Sequence, residues 1–186
     1  MKRYFDTFHS LERFTRELDC HQHELQCQHC ARNDQFVPHD VIYKQRSQSS
    51  REAVGKRIFC SNRYGRTGCG RTFRLYIASE IPSLRYGTAQ LFVFLSALLA
   101  KLTVSAAYQQ ATGRSETRNA WRWLNKLDCR LINYRIFLKK HPEAPSSDKS
   151  KTRRFQILLP TIKRLFSLSN RCPCSHFQQA TQSHFI

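Results

Sequence analysis

Between Cys27 and Phe73 four cysteines stand in two pairs, Cys27-Gln28-His29-Cys30 and Cys60 with Cys69, separated by a long polar and basic stretch. Four thiols in this arrangement constrain the chain more than any other feature. They suit a tetrahedral zinc site in which each pair sits on a tight turn and the chain between returns to close the centre. The first pair has the two-residue gap of such a turn. The second has eight, an insertion of six, and Gly65, Gly68 and Gly70 lie in it or just after it. Glycine enters the left-handed region at little steric cost, so the inserted loop can bulge out and still return its sulfur. The expectation is one Zn²⁺ held by Cys27, Cys30, Cys60 and Cys69. Small buried or free thiols fit less well, because the neighbours are Arg, Gly, Asn and Gln rather than apolar runs.

The flanking residues place these cysteines beside short antiparallel strands. Residues 35–43 are strand formers broken by Pro38, and residues 44–55 are polar and read as a hairpin loop. Residues 56–59 make a short strand into the second turn, and residues 72–77 alternate as the strand leaving it. Turn, strand, hairpin, strand, turn, strand is the layout of a zinc ribbon, expected over residues 25–82. Ahead of it, residues 1–24 contain Phe8, Leu11, Phe14 and Leu18 on one face of a helix beginning at Thr7, which should pack on the ribbon. Cys20, His21 and His23 are reserve ligands. His29, between the first two cysteines, should point to solvent.

From residue 84 to 140 the pattern becomes helical. Leu91, Phe92, Phe94, Leu95, Leu98, Leu99 and Leu102 predict a helix buried on most of its surface. Thr103 or Ser105 caps a second, and Gly113 ends it. Ser115 caps a third that runs through Trp121 and Leu124 toward Leu138. A short helix, a glycine turn and a basic helix spell a helix-turn-helix. In the last helix Thr117, Ala120, Trp121, Leu124 and Leu127 are read as the core face. Ser115, Arg118, Asn119 and Arg122 lie toward the end that would enter a major groove and read bases. Arg63, Arg66, Arg71, Arg74 and Lys126 are the candidate phosphate contacts. The competing reading is an ordinary three-helix bundle with a solvated basic face. Residues 141–152 are a linker by composition, and residues 153–186 a basic C-terminal helix, kinked or interrupted at Pro160, with its tail. Cys129 packs or lies free. Cys172, Cys174 and His176 make an incomplete metal set. The fold class expected is α+β.

Charge narrows the partner. The chain of 186 residues carries 31 Lys and Arg against 13 Asp and Glu, a net +18. Up to Glu80 there are 14 basic and 9 acidic residues, beyond it 17 and 4, so the two parts carry +5 and +13. Such an excess points to a polyanion, most often nucleic acid, here double-stranded DNA. The first residues are charged and amphipathic rather than leader-like, which predicts a reducing, cytoplasmic setting (nucleoid-associated in a bacterium) and favours metal over disulfides. Residues 86–100 are uncharged but too short and too polar for a membrane span, so no membrane partner is expected.

With these residues placed, the chain resembles the N-terminal region of insertion-sequence transposases and their small accessory repressors, in which a zinc ribbon precedes a helix-turn-helix. The resemblance rests on Cys27-x-x-Cys30, on Cys69-Gly70-Arg71-Thr72-Phe73, and on Ala111-Thr112-Gly113 through Trp121-Arg122-Trp123-Leu124. It covers residues 25–127, and the long gap between Cys60 and Cys69 departs from the family's usual turn. It implies binding to element ends or a promoter, with a transposase or a second copy of the chain as further partner. Transposases of this sort use three carboxylates holding two divalent metals. After the helix-turn-helix only Asp128, Glu143 and Asp148 remain, the latter two in the linker. The expectation is therefore a non-enzymatic DNA-binding protein. The alternatives are a truncated transposase or nuclease subunit whose catalysis lies on another chain, and an RNA- or single-strand-binding zinc module using aromatics such as Tyr64 and Phe73.

Overall fold

The computed structural model describes residues 3–21, 25–46, 50–82, 84–139, 157–169 and 172–186. Among them the chain is a mixed α+β protein with four strands and eight helices. It divides into two compact units, Met1–Arg85 and Tyr86–Ile186. No helix among the described residues is long and apolar enough to cross a membrane. His23, Arg153, Arg154 and the 141–152 linker lie outside the described residues.

In the first unit β1 (Tyr4–Phe5), β2 (Phe36–Gln45), β3 (Arg51–Cys60) and β4 (Thr72–Ile77) form one sheet in the order β1-β4-β3-β2. β2 and β3 pair antiparallel from Phe36 opposite Cys60 to Gln45 opposite Arg51. The polar residues 44–55, read from sequence as a loop, are therefore mostly strand. Gln45, Arg51 and Glu52 are polar because they are exposed, and Lys44 because it pairs with the buried Glu80. Pro38 is accommodated because β2 is an edge strand whose register shifts between Pro38 and Val41. β1 adds a parallel pairing, Tyr4 opposite Tyr76 and Phe5 opposite Ile77.

Helix α1 (Phe8–Arg16) starts at Thr7, whose hydroxyl accepts from the Ser10 amide while the Ser10 hydroxyl accepts from the Thr7 amide. Its buried Leu11, with Leu18 of α2 (Leu18–His21), joins Phe5, Leu25, Phe36, Ile58, Phe73 and Leu75 in one core. Cys27 and Cys60 belong to that same core. The opposite sheet face carries a smaller cluster of Tyr4, Tyr76 and Ala78 with Ile42 against it. Beyond β4 the chain is pinned by Glu80, buried, which receives Lys44 Nζ at 2.8 Å and the Arg46 guanidinium. Lys44 also donates to the Ile81 carbonyl at 2.6 Å. A buried carboxylate with two cations is satisfied, whereas one left alone is strongly destabilising.

The second unit is helical. α3 (Thr88–Leu99) buries Leu91, Phe94, Leu95, Ala97 and Leu98. α4 (Val104–Thr112) is capped by Thr103, whose hydroxyl accepts from the Ala106 amide at 3.2 Å, and ends on Gly113 in the left-handed conformation at φ +69°. α5 (Thr117–Cys129) and α6 (Leu131–Lys139) are separate helices divided at Arg130, not one helix running on to Leu138. α7 (Leu158–Ser167) carries Pro160 in its first turn, where a missing N–H has little consequence, so the proline helps begin the helix instead of kinking it. α8 (Pro173–Thr181) follows, and the tail returns so that Tyr134 donates to the Phe185 carbonyl. Tyr134, Phe137, Phe177 and Phe185 pack ring on ring at 5.0–5.4 Å.

Candidate metal centre

The four cysteines predicted to act together do come together. Their sulfurs lie within 4.8 Å of one another, a set that could hold a metal ion. Cys27 Sγ is 3.6 Å from Cys69 Sγ and Cys30 Sγ is 3.8 Å from Cys60 Sγ. Sulfurs bonded at about 2.3 Å to one tetrahedral centre stand about 3.8 Å apart, so the spacing fits a shared ion. It is far too long for a disulfide, and all eight cysteines are free thiols. Cys27 and Cys60 are buried, while Cys30 and Cys69 lie nearer solvent. Among the described residues no other group of three or more His, Cys, Asp or Glu gathers in this way.

The two pairs are held by the same backbone device despite their different gaps. In the first, the Ala31 amide donates to the Cys27 carbonyl at 2.8 Å and the His29 amide to Cys27 Sγ at 3.5 Å. In the second, the Gly70 amide donates to the Cys60 carbonyl at 2.9 Å and the Cys69 amide to Cys60 Sγ at 3.4 Å. The residue after the second cysteine is left-handed in both, Ala31 at φ +54° and Gly70 at φ +75°. The six extra residues are excluded from this closure. Cys60 and Arg71 pair backbone to backbone at 2.9 Å, and the Gly68 amide donates to the Ser61 carbonyl at 2.7 Å. That close approach needs glycine: a Cβ on residue 68 would lie 2.4 Å from the Ser61 oxygen and 2.7 Å from Cys60 Sγ.

Electrostatics differ across the cluster. Burial pushes the Cys27 thiol up, but hydrogen bonds from the His29 and Cys30 amides and the neighbouring thiols outweigh it and bring it to about 7. Burial dominates at Cys60, pushed up to about 12. A bound cation would override both, since a coordinated thiol is deprotonated.

The other candidate ligands stand apart. Cys20 is exposed, and the His21 ring stacks on Phe14 at 5.3 Å. His29 is exposed as expected, yet not idle: its ring lies 5.6 Å from Phe73 and its Nδ1 3.1 Å from the Arg71 guanidinium. Phe73, read from sequence as an exposed aromatic, is buried with its ring 5.4 Å from Phe36. Cys129 is exposed. Cys172 sits at the start of α8 beside the fully buried Cys174, and the His176 ring faces Phe137 at 6.2 Å. Hydrogen bonding from the Cys174 thiol leads the effects that bring Cys172 down to about 5 in spite of its burial.

Of the basic candidates, Arg63 lies with its guanidinium 5.9 Å from the Phe59 ring, and Arg74 is exposed on β4. Arg66 is committed to the protein, donating to the Asp34 carbonyl at 2.6 Å with Asp19 at 3.7 Å. On α5, Arg118, Arg122 and Lys126 are exposed, as is Ser115 ahead of it. Asn119 is only half exposed. Its amide oxygen accepts from Arg122 at 3.3 Å, and its side chain also bonds the Tyr108 hydroxyl, which burial pushes up. The core face of α5 is Ala120, Trp123, Leu124 and Leu127. Trp121, expected in that core, is 46% exposed, whereas Trp123 is 4% exposed and caged by Tyr86, Phe94 and Tyr108 at 5.3–5.7 Å. At 100° per residue, Trp121 shares the face of Arg118 and Arg122. The sequence reading placed Trp121 on the wrong face, and singled out Gly68 for left-handed freedom where the structure shows a close approach instead. Trp121 and Trp123 flank the Ala120, Leu124 and Leu127 face from opposite sides, so spacing leaves the choice to tertiary packing, and the close approach at residue 68 follows from coordinates alone. Comparison with protein-family models, curated proteins and solved structures finds no significant match to this chain.

Proposed function

We propose that this protein is a non-catalytic, zinc-dependent DNA-binding protein, with a zinc ribbon in the first unit and a helix-turn-helix formed by α4 and α5 in the second. Zinc suits the centre best: four thiolates in a closed tetrahedral set with no open position are the donor pattern of structural zinc. Its chemistry here is to crosslink two turns of a small unit, and Cys27, Cys30, Cys60 and Cys69 are its ligands.

The observation that carries the DNA reading is the division of α5 into two faces. One buries Trp123, Leu124 and Leu127. The other exposes Arg118, Trp121, Arg122 and Lys126, with no acidic residue between Thr117 and Lys126. The helix begins just past the left-handed Gly113, so its free N-terminal end carries Ser115 and Arg118 forward. Arginine there reads guanine by paired hydrogen bonds, and Asn119, held by Tyr108, steadies Arg122 from within. Arg63, Arg71, Arg74 and Lys126 take phosphates, and Arg66 fixes the loop on which Arg63 stands. A transposase-related role, as accessory protein or repressor at element ends, is the setting that the resemblance suggests.

The test is selection of bound sequences from a random duplex pool by zinc-loaded protein, followed by Arg118→Ala on the selected and on random duplexes across a salt series. Loss of about 1–3 kcal/mol on the selected site alone is the expected result. Equal weakening on both duplexes, or a pool that yields no preferred sequence, overturns the reading.

A further inference from the structure

The six residues that the metal closure leaves out, 62–67, form a loop with its own construction. At its tip the Arg66 amide donates to the Arg63 carbonyl at 3.1 Å, and the two residues between, Tyr64 and Gly65, have φ +54° and +78°. Positive φ at both central positions is the pattern of a primed hairpin turn, for which Asn-Gly or Asp-Gly is the unstrained choice. Tyrosine in the first place carries a steric strain that asparagine would avoid.

Nothing inside the protein repays that strain. Tyr64 is 100% exposed, so its ring adds no burial to the fold. The loop beneath it is nevertheless firmly seated. The Thr67 amide donates to Gln35 Oε1 at 2.7 Å, Arg66 reaches the Asp34 carbonyl, and the Arg63 amide donates to Ser61 Oγ at 3.2 Å. An aromatic ring is thus presented to solvent from a loop whose neighbouring residues are anchored. Its surroundings choose the partner. Residues 61–74 hold four arginines and no acidic residue. The tip neighbours Asn62, Arg63, Gly65, Arg66 and Thr67 are all polar or without a side chain. An anchor for a protein pocket sits within an apolar core patch, which is missing here. A lone ring among guanidinium groups is the composition that stacks on bases and follows a phosphate backbone.

We propose that Tyr64 is a base-stacking tip, which takes an unpaired or unstacked nucleobase of DNA while Arg63 and Arg71 meet the adjoining phosphates. This rests on the reading of the chain as a DNA-binding protein, and adds that the first unit selects DNA with an open base face. A bulge, a melted step or a single-stranded end supplies one.

The probes are a fully paired duplex of arbitrary sequence, the same duplex with one extra unpaired 2-aminopurine, and the corresponding single strand, each titrated with the zinc-loaded full chain. Binding should favour the bulged duplex and quench the 2-aminopurine fluorescence. Tyr64→Ala should weaken bulged and single-stranded DNA roughly 10- to 100-fold and leave the paired duplex within about twofold. Tyr64→Phe should retain binding. Tyr64→Asn, which suits the turn, should melt no lower than the natural protein and still lose the bulge preference, so that strain and function separate. Unchanged bulge binding in Tyr64→Ala, or undiminished binding in Tyr64→Asn, overturns the proposal, as does single-stranded RNA bound more tightly with the same dependence on Tyr64. If the duplex selection fails while Tyr64-dependent bulge binding persists, the α5 reading falls and this one stands. Equal weakening of paired and bulged duplex by Tyr64→Ala does the reverse.

Discussion

Gly68 shows how one residue decides whether the second cysteine pair can close. Its Cα hydrogen stands where a methyl group would press on both the Ser61 carbonyl and the Cys60 sulfur. Gly68→Ala should destabilise the first unit by about 1–3 kcal/mol and weaken metal retention against a chelator. Thermal melting with metal analysis checks this, and an unchanged chelator midpoint would count against it. Cys172 provides a second residue-scale test. Donation from the Cys174 thiol lowers its thiol to about 5, so its thiolate is formed well below the point, about 8.5, where an ordinary cysteine ionises. Native-state alkylation at Cys172 should rise as pH increases through about 5 and level off by neutrality. Cys174→Ala, which removes the donor, should move that rise to higher pH. Peptide-resolved labelling rates measure both, and a rise only above pH 8 in the natural protein refutes the assignment.

At the scale of elements, the face of α5 is the sharpest point of comparison between sequence and structure. Trp123→Ala should cost about 3–5 kcal/mol because it empties the cage made by Tyr86, Phe94 and Tyr108. Trp121→Ala should change stability by no more than about 0.5–1 kcal/mol. Denaturant melts of the two variants decide the register, and the opposite ranking would reverse it. Much here was legible. Gly113 marked the end of α4 and Thr103 or Ser105 its start, because a left-handed stop and a hydroxyl cap are local requirements, and the structure takes Thr103. The cysteine pairs marked the four-sulfur cluster, which could hold a metal ion, because ligand chemistry admits few residue types. Other features depend on tertiary partners that local patterns do not record. Two tryptophans two positions apart compete for one core, and only the ring cage picks Trp123. The polar strand pairs at residues 44–55 are stabilised by ladder hydrogen bonds and by Glu80, which lies 36 positions from Lys44. The break at Arg130 is marked by no glycine or proline.

For the molecule as a whole, the two units divide the energetic roles. The first buries two of the four clustered sulfurs in its own core, so a bound ion and the core should stand or fall together. The second has an apolar interior, and its described residues bring no three metal candidates together. Chelation should therefore abolish the cooperative melting of Met1–Arg85 and leave most of the helical circular dichroism of Tyr86–Ile186. Loss of the helical signal on chelation would show that the second unit depends on the ion. The parallel pairing of β1 with β4 bears on a different matter, the making of the chain. Tyr4 and Phe5, both buried, are synthesised 72 residues ahead of their partners Tyr76 and Ile77. At about 5–20 residues per second, that leaves two large aromatic side chains uncovered for roughly 4–15 s of synthesis. The interval in which a nascent chain is open to chaperones and proteases is thus set by translation speed across those 72 codons, and slow codons there would lengthen it.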